Sequence, residues 1–414
     1  MRNKISRTNQ RIIVVLAAVG MAFVAQAQTY TYSTLYSFKN NGKDPSNPLG
    51  GALIIDAAGN LYGAGVSGGT YGKGAVFQIS KTGTETVLYS FKGSPDGESP
   101  NSKLVRDSKG NLYGTTFSGG IITDTYGDCS DYAGCGTVFK LSSSGVETVL
   151  YGFTGGKDGA IPQSSVVLDS AENVYGTVNQ DLVVSGDSGN GLAFEITTNK
   201  TFSILYEFCS LNNCLDGQNP LFGPIRDSEG NLYGVVLGGG SDGYGGVYQL
   251  TPSGVETLLH SFTFGNDGAE PWSTLKRDSA GNLYGGANWG GSGTYGTGFN
   301  GGTLFKITRS GAFSVLYSFC SLPNCADGDG PRGPIQIDRS GNLYSTTVAG
   351  GANGSGTVFE VSSTGKETVL YNFASQVTTF NAGLVIDSSG NLYGTTYNGG
   401  PAHLGSVYKL TLKK

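Results

Sequence analysis

The sequence predicts an all-β fold: a seven-bladed β-propeller of four-stranded blades, closed by an N-terminal strand that completes the last blade. Three observations predict it. A segment of the form Asp-x-x-Gly-Asn-Leu-Tyr-Gly occurs seven times, with its aspartates at Asp56, Asp107, Asp169, Asp227, Asp278, Asp338 and Asp387. The motif asparagines, Asn60, Asn111, Asn173, Asn231, Asn282, Asn342 and Asn391, are spaced by 51, 62, 58, 51, 60 and 49 residues, a regular internal period. The composition is that of short strands punctuated by turns: 69 glycines, 23 tyrosines, 20 phenylalanines and only 14% charged residues.

Each unit reads as four short strands. In the second repeat, strand a is "KLVRD", strand b "NLYGTT", strand c "GTVFKL" and strand d "ETVLYGF", ending at Phe153. Four strands per repeat, arranged radially, make a propeller blade. The motif aspartate and glycine form the a–b turn: the carboxylate accepts backbone N–H groups and the glycine supplies a positive φ. The third copy, "DSAENVYG", carries Glu172 in place of that glycine, so Glu172 is expected at positive φ. The seven aspartates are thus structural turn residues. A calcium loop would need a denser run of oxygen ligands. The stretch "TYTYSTLYSF", residues 29–38, matches strand d, and "GSVYKL", residues 405–410, matches strand c of a repeat with no strand d of its own. The first residues are therefore expected to complete the last blade and remove a free sheet edge.

Residues 1–27 read as a secretory signal peptide and 28–414 as the single propeller. Arg2, Lys4, Arg7 and Arg11 precede the apolar run "IIVVLAAVGMAFVA", and "AQA" ends at Ala27. Losing those four cations moves the formal net charge from −5 to −9. An acidic chain is a poor phosphate binder, so nucleic acid is excluded as a partner. No membrane span is expected after cleavage. The protein is expected to be a secreted monomer, periplasmic or extracellular, with no cofactor and no metal.

Six cysteines fall in three close pairs, Cys129 with Cys135, Cys209 with Cys214, and Cys320 with Cys325. In a secreted chain these read as structural disulfides that staple short loops. A zinc site would need four converging ligands, and only His260 and His403 could assist.

Loop lengths separate two faces. The a–b and c–d turns are constant in length and share one face; the b–c and d–a loops vary and share the other. All three cysteine pairs lie in variable loops, the usual location of binding residues on a rigid scaffold. The d–a loops repeat Asp-Gly-x-x-Pro at Asp96, Asp158, Asp216, Asp267 and Asp327, with a variant at Asp44 and none before the seventh blade. That motif is either a side-chain-stabilised turn, the favoured reading, or a ring of carboxylates at the channel mouth.

The repeated segments "GTVFKLSSSGVETVLYGF" and "DGAEPWSTLKRDSAGNLYG" resemble the GloVer tandem-repeat family of secreted bacterial proteins, over essentially the whole mature chain. The resemblance implies a secreted, propeller-like repeat protein and no particular chemistry. The a–b turn is also similar to the aspartate-box hairpin of sialidases, without its tryptophan.

Catalytic signatures are sparse. His260 occupies a strand position that is tyrosine elsewhere, and His403 lies in a b–c loop. Asp124, Asp128 and Asp131 cluster in one stapled loop, and Asp327 and Asp329 in another. Two-carboxylate glycosidase chemistry needs a separation that sequence does not show. The leading reading is a non-catalytic propeller that binds a carbohydrate or another cell-surface component through its variable-loop face. The alternatives are an extracellular glycosidase or polysaccharide lyase, and a structural or adhesive module. The candidate ligand-binding residues are Trp272, Trp289 and Tyr295 in the fifth blade. Where Trp289 stands, the other repeats have Ser67, Ser118, Gln180, Gly238, Ala349 and Asn398, so repeat packing does not demand an indole there.

Overall fold

The computed structural model describes residues 29–48, 53–121, 129, 133–179, 190–294, 301–375, 377 and 383–413. The leader, Tyr295, Gln180, Asp124, Asp128 and Asp131 lie outside the described residues. Seven antiparallel sheets form a ring of blades, a β-propeller with almost no helix. In blade 2, strand a is Val105–Arg106, strand b Leu112–Gly119, strand c Thr137–Leu141 and strand d Glu147–Gly152. The remaining blades span 54–90, 167–207, 225–261, 276–318, 336–372 and 385–412. Blade 7 takes its strand d from the other end of the chain. Tyr30–Ser37 pairs antiparallel with Ser406–Leu412, Tyr32 opposite Leu410 and Ser37 opposite Ser406.

The blades are not uniformly four-stranded. In blades 2, 5 and 6 strand a is interrupted, and a further segment, Gly97–Pro100, Ala269–Pro271 or Asp329–Pro331, pairs with the far end of strand b. The break follows the proline of the d–a loop, which has no N–H to continue a ladder.

One contact recurs at all seven blade interfaces. The phenylalanine ending strand d packs edge-to-face on the central aromatic of the next blade's strand c. The pairs are Phe38–Phe77, Phe91–Phe139, Phe153–Phe194, Phe208–Tyr248, Phe262–Phe305, Phe319–Phe359 and Phe373–Tyr408. Their centroids are 4.9 to 5.6 Å apart and their planes 62° to 72°. All these rings are buried. The strand-c ring lies over the last glycine of Asn-Leu-Tyr-Gly: a Cβ on Gly114 would sit 2.9 Å from Phe139 Cζ and 3.0 Å from Leu104 Cδ2. Where tyrosine replaces phenylalanine, the hydroxyls of Tyr248 and Tyr408 are buried without a hydrogen-bond partner.

The opening motif is a closed hydrogen-bond unit. Asp56 Oδ1 accepts the backbone N–H groups of Ala58 and Asn60, both at 2.9 Å. Its Oδ2 accepts Asn60 Nδ2 at 3.0 Å and the Tyr62 hydroxyl at 2.9 Å. The asparagine and tyrosine bonds recur at the other six aspartates. The asparagine Oδ1 then accepts an N–H from the c–d turn, Ser143 to Asn111 at 3.1 Å and Arg309 to Asn282 at 3.2 Å, so the two turns of this face are tied together. Burial raises the carboxyls of Asp56, Asp107, Asp169, Asp227, Asp278 and Asp387, and these hydrogen bonds outweigh it, leaving them below the ordinary value. Glu172 does take φ 68°, where the six glycines take 81° to 91°. Its carboxylate meets Lys109 Nζ, and Lys140 Nζ at 3.2 Å, contacts that offset the left-handed backbone.

The Asp-Gly-x-x-Pro repeat is also a turn. Its aspartate accepts the hydroxyl of the strand-d tyrosine: Tyr89 to Asp96 at 2.8 Å, Tyr151 to Asp158 at 2.9 Å, Tyr206 to Asp216 at 2.7 Å and Tyr317 to Asp327 at 2.8 Å. Tyr36 does the same for Asp44, and His260 Nε2 stands in for the tyrosine at 3.1 Å from Asp267. The residue before the proline sends its N–H to a carbonyl of the preceding blade, as from Ile161 to Cys135 at 2.8 Å and from Glu270 to Tyr244 at 2.9 Å.

Strand d of the following blade begins against this tyrosine. In three places the first residue is a ring: Phe202 stacks on Tyr151, Phe313 on His260, and Tyr32 on Tyr371, with centroids 4.4, 3.6 and 4.3 Å apart. In four it is a glutamate, Glu85, Glu147, Glu256 or Glu367, whose Oε1 is buried without a partner. Burial first, and then the neighbouring Asp44, Asp96, Asp216 or Asp327, pushes these carboxyls up to about 7, about 7, about 7 and about 8.

Three outcomes are expected. Tyr248→Phe and Tyr408→Phe each remove an unpaired buried hydroxyl, so each should raise stability by about 1 kcal/mol in denaturant titration; a loss of stability would show that the hydroxyls have partners. Gly110→Glu should lower stability by about 1 kcal/mol, because it imposes the left-handed backbone on an L-residue. Glu172→Gly should leave the midpoint nearly unchanged, since relief of the backbone is cancelled by loss of the two lysine contacts. The third outcome follows from the four raised glutamates. A carboxyl with a raised folded pKa contributes stability that is full below its unfolded value and is lost as pH rises through the folded value. The native protein should therefore lose stability between about pH 5 and pH 8 relative to a variant carrying phenylalanine at positions 85, 147, 256 and 367. Parallel stability–pH curves for the two proteins over that window would refute this.

Candidate functional site

The variable-loop end of strand a carries the candidate site. After each d–a proline comes one residue that varies among the repeats: Leu49, Asn101, Gln163, Leu221, Trp272 and Arg332. In three blades the next residue is a serine whose hydroxyl takes the place of a ladder carbonyl. Ser102 Oγ accepts the N–H of Thr115 at 2.9 Å, Ser164 Oγ that of Thr177 at 3.3 Å, and Ser273 Oγ that of Gly286 at 2.8 Å. The side-chain bond stands in for the ladder at this end of strand a.

In blades 5 and 6 these residues meet. The Arg332 guanidinium lies over the Trp272 ring, 4.7 Å from its centroid, and the Phe222 ring meets the indole edge-to-face at 6.1 Å. Arg332 Nε donates to Asn288 Oδ1 at 2.7 Å. Asn288 is 1% exposed, and its Nδ2 has no partner. The indole N–H of Trp272 is likewise buried without an acceptor. Burial lowers Arg332 from its ordinary value, and Glu270 and Asp329 act against that. Burial raises Asp329, Arg332 draws it down and Asp327 adds to the rise. Across the mouth, Asn101 Oδ1 is also buried without a partner. The arrangement is rich in unused donors: an indole N–H, an amide NH₂ and a partly buried guanidinium fork.

Trp272 thus stands at the mouth, with Arg332 on one face of the ring that would otherwise stack on a ligand. Trp289 stands apart from it. The N–H of Trp272 goes to Gly286 O at 3.1 Å, whereas Trp289 is three residues further along strand b, opposite Ala269. Its indole N–H donates to Glu270 Oε2 at 3.1 Å. His260 is a packed strand residue stacked on Phe313, and burial holds its imidazole below the ordinary value despite Asp267. His403 is exposed. Asp327 is fully used by Tyr317, Ser321 N–H and Leu322 N–H. Cys129–Cys135, Cys209–Cys214 and Cys320–Cys325 are disulfides. Asp329 lies within ligand reach of Cys320 and Cys325, but their sulfurs are bonded to each other and are not thiolates. The latter two bridges staple an insertion: tyrosine and aspartate are ten residues apart in those d–a loops and seven or eight apart in the loops without a bridge. Arg332 and Asn288 were not singled out from the sequence. The signal that marks Arg332 is the alignment column after the proline, which varies inside an otherwise repeated frame.

No helix among the described residues is long and apolar enough to cross a membrane. Solved structures are similar to this chain at low identity. A gluconolactonase from Xanthomonas campestris is 16% identical over 93% of this chain and 90% of its own, with a TM-score of 0.43. A protein of unknown function from Dyadobacter fermentans is 10% identical over 92% and 97%, with a TM-score of 0.45. A luciferin-regenerating enzyme is 12% identical over 93% and 97%, with a TM-score of 0.42. No functionally curated protein matches the sequence. The model of the Gloeobacter/Verrucomicrobia repeat matches three times in tandem, at residues 16–183, 182–301 and 298–414. Those matches run through every blade and both partners of the closing strand pair, and the chain belongs to the Gloeobacter/Verrucomicrobia repeat family.

Proposed function

We propose that this protein is a secreted, non-catalytic propeller that binds a carbohydrate through its variable-loop face, at the channel mouth between blades 5 and 6. One observation carries the reading: the donors of Trp272, Asn288 and Arg332 converge where the described residues supply no acceptor for two of them. Buried donors left unpaired are costly, and a ligand rich in acceptors relieves that cost. A guanidinium fork favours a carboxylate, so the ligand class is an acidic polysaccharide, such as one containing uronic acids. The three disulfides fit an oxidising compartment.

The mouth also holds two carboxylates, Glu270 and Asp329, that act on Arg332. That pair favours the hydrolase alternative, in which Asp329, raised by burial, would be the acid.

The test is binding of the mature protein to an array of neutral and acidic glycans. Trp272→Phe keeps an aromatic ring and loses the N–H with the pyrrole part of the indole. Arg332→Gln removes the fork. Each should weaken binding of an acidic glycan about tenfold or more while the melting temperature stays close to the parent's. Trp289→Ala should weaken it less. No binding to any glycan, or binding indifferent to both changes, would overturn the reading. Cleavage of a bound polysaccharide, lost in Asp329→Asn, would establish the hydrolase instead.

A further inference from the structure

The channel itself carries charge that the mouth does not use. The strands a converge around it. Those of blades 3 and 4 lie so close that a Cβ on Gly223 would sit 1.7 Å from the Ser165 carbonyl oxygen. In blades 2, 3, 5 and 6 the fourth and second residues before the motif aspartate are partly accessible and the residue between them is buried, in keeping with the alternation of a strand. The accessible positions are mostly aliphatic or small: Ile54, Val105, Val167 and Ile225 form much of one layer, and Ser165, Thr274 and Pro334 part of the next. Two lysines interrupt them, Lys103 in blade 2 and Lys276 in blade 5. No acidic residue occupies either position in any of the seven repeats.

Blades 2 and 5 are not neighbours in the ring, so these lysines can approach only across the channel. Both lie on the strands a that converge there, and the Lys276 ammonium, after burial, adds to the lowering of Lys103 to about 8, while burial also lowers Lys276. Neither ammonium takes part in a hydrogen bond or ion pair with the described residues; the lysine ion pairs are made by Lys73, Lys109 and Lys140. An acidic chain with 26 cationic residues has placed two of them, partly buried, where no carboxylate among the described residues pairs with them. Burying a charge without a partner is unfavourable, and an anion between two ammonium groups reverses the sign.

We propose that the central channel is an oxyanion-binding site, in which a carboxylate or phosphate group is held between the Lys103 and Lys276 side chains. Each ammonium donates charge-assisted hydrogen bonds to the anion, and the aliphatic wall strengthens them by excluding water. The site is separate from the Trp272 and Arg332 cluster, so either can fail without the other.

The experiment uses the whole mature protein at fixed ionic strength in chloride. Inorganic phosphate and D-glucuronate are titrated separately by calorimetry, with glucose as the uncharged control. At least one oxyanion should bind saturably and glucose should not, and the better ligand identifies the group the channel takes. Lys103→Met and Lys276→Met should each weaken that binding about tenfold or more, as expected for loss of a charge-assisted bond. Arg332→Gln should leave it unchanged, which separates this site from the mouth. Because removing an unpaired ammonium should not destabilise the fold, both methionine variants should melt no lower than the parent in the absence of ligand. A second readout needs no variant. In reductive methylation of the native protein, the bound oxyanion should slow modification of Lys103 while leaving exposed Lys157 unaffected. The proposal is overturned if neither oxyanion binds saturably, if chloride alone protects Lys103 equally, or if binding survives both lysine substitutions.

Discussion

The ring depends on one contact made seven times, the edge-to-face packing of a strand-d phenylalanine on the strand-c ring of the next blade. Such a pair contributes about 0.5–1.5 kcal/mol beyond the burial of its area. Its larger effect is geometric. A ring buried over strand b leaves no room for a Cβ there, which is why the motif reads Asn-Leu-Tyr-Gly and why Gly114 faces Phe139 at van der Waals distance. Blade 6 departs from this with Ser345, whose hydroxyl donates to Gly333 O at 2.7 Å. The aromatic column sets the blade-to-blade spacing, and that spacing lets one residue of each d–a loop send its N–H to the preceding blade.

The two faces of the disc differ in how completely their polar groups are satisfied. On the face of the a–b and c–d turns, aspartate, asparagine and tyrosine close a unit in each repeat, and the asparagine carbonyl reaches the adjoining turn. Such a surface has little left to offer a ligand. On the opposite face the same economy holds for the Asp-Gly-x-x-Pro aspartates and stops at the next residue. Asn101 Oδ1, Trp272 Nε1 and Asn288 Nδ2 are buried and unpaired on that side. The unsatisfied groups lie where the repeat stops satisfying itself.

The architecture was legible in the sequence because a seven-fold repetition multiplies a weak local signal. The spacing of the asparagines gave the blade count, the overhang of "TYTYSTLYSF" gave the closure, and the constant turn lengths separated the faces. The anomalous Glu172 was readable because six glycines define what its position requires. The interruption of strand a was less readable, since it depends on a serine hydroxyl replacing a ladder carbonyl, and serine is common in this chain. The site was read only in part. Trp272 stood out by type, but the guanidinium on its ring comes from a residue 60 positions away, Arg332, in the neighbouring blade. The placing of Lys103 and Lys276 on strands a of non-adjacent blades depends on ring closure, which leaves no trace in any one repeat.

The interface between blades 6 and 7 shows how far the repeat can be relaxed. The loop before blade 7, "ASQVTTFNAG", has no Asp-Gly-x-x-Pro, so Tyr371 has no loop aspartate of the kind that receives the hydroxyls of Tyr317 and Tyr89. The N-terminal strand supplies a different partner. Tyr32, where four other blades carry a buried glutamate, stacks on Tyr371 at 4.3 Å and also meets Tyr408 at 5.6 Å. A glutamate there would have no loop carboxylate to repel it, but it would also put an acid against an aromatic surface in the blade assembled from both ends of the chain. A ring buries more apolar surface and carries no charge whose solvation must be lost. The seam where the two chain ends meet is therefore held by aromatic area and the closing strand ladder. The charged and hydrogen-bonded version of the contact is kept for interfaces within the continuous chain.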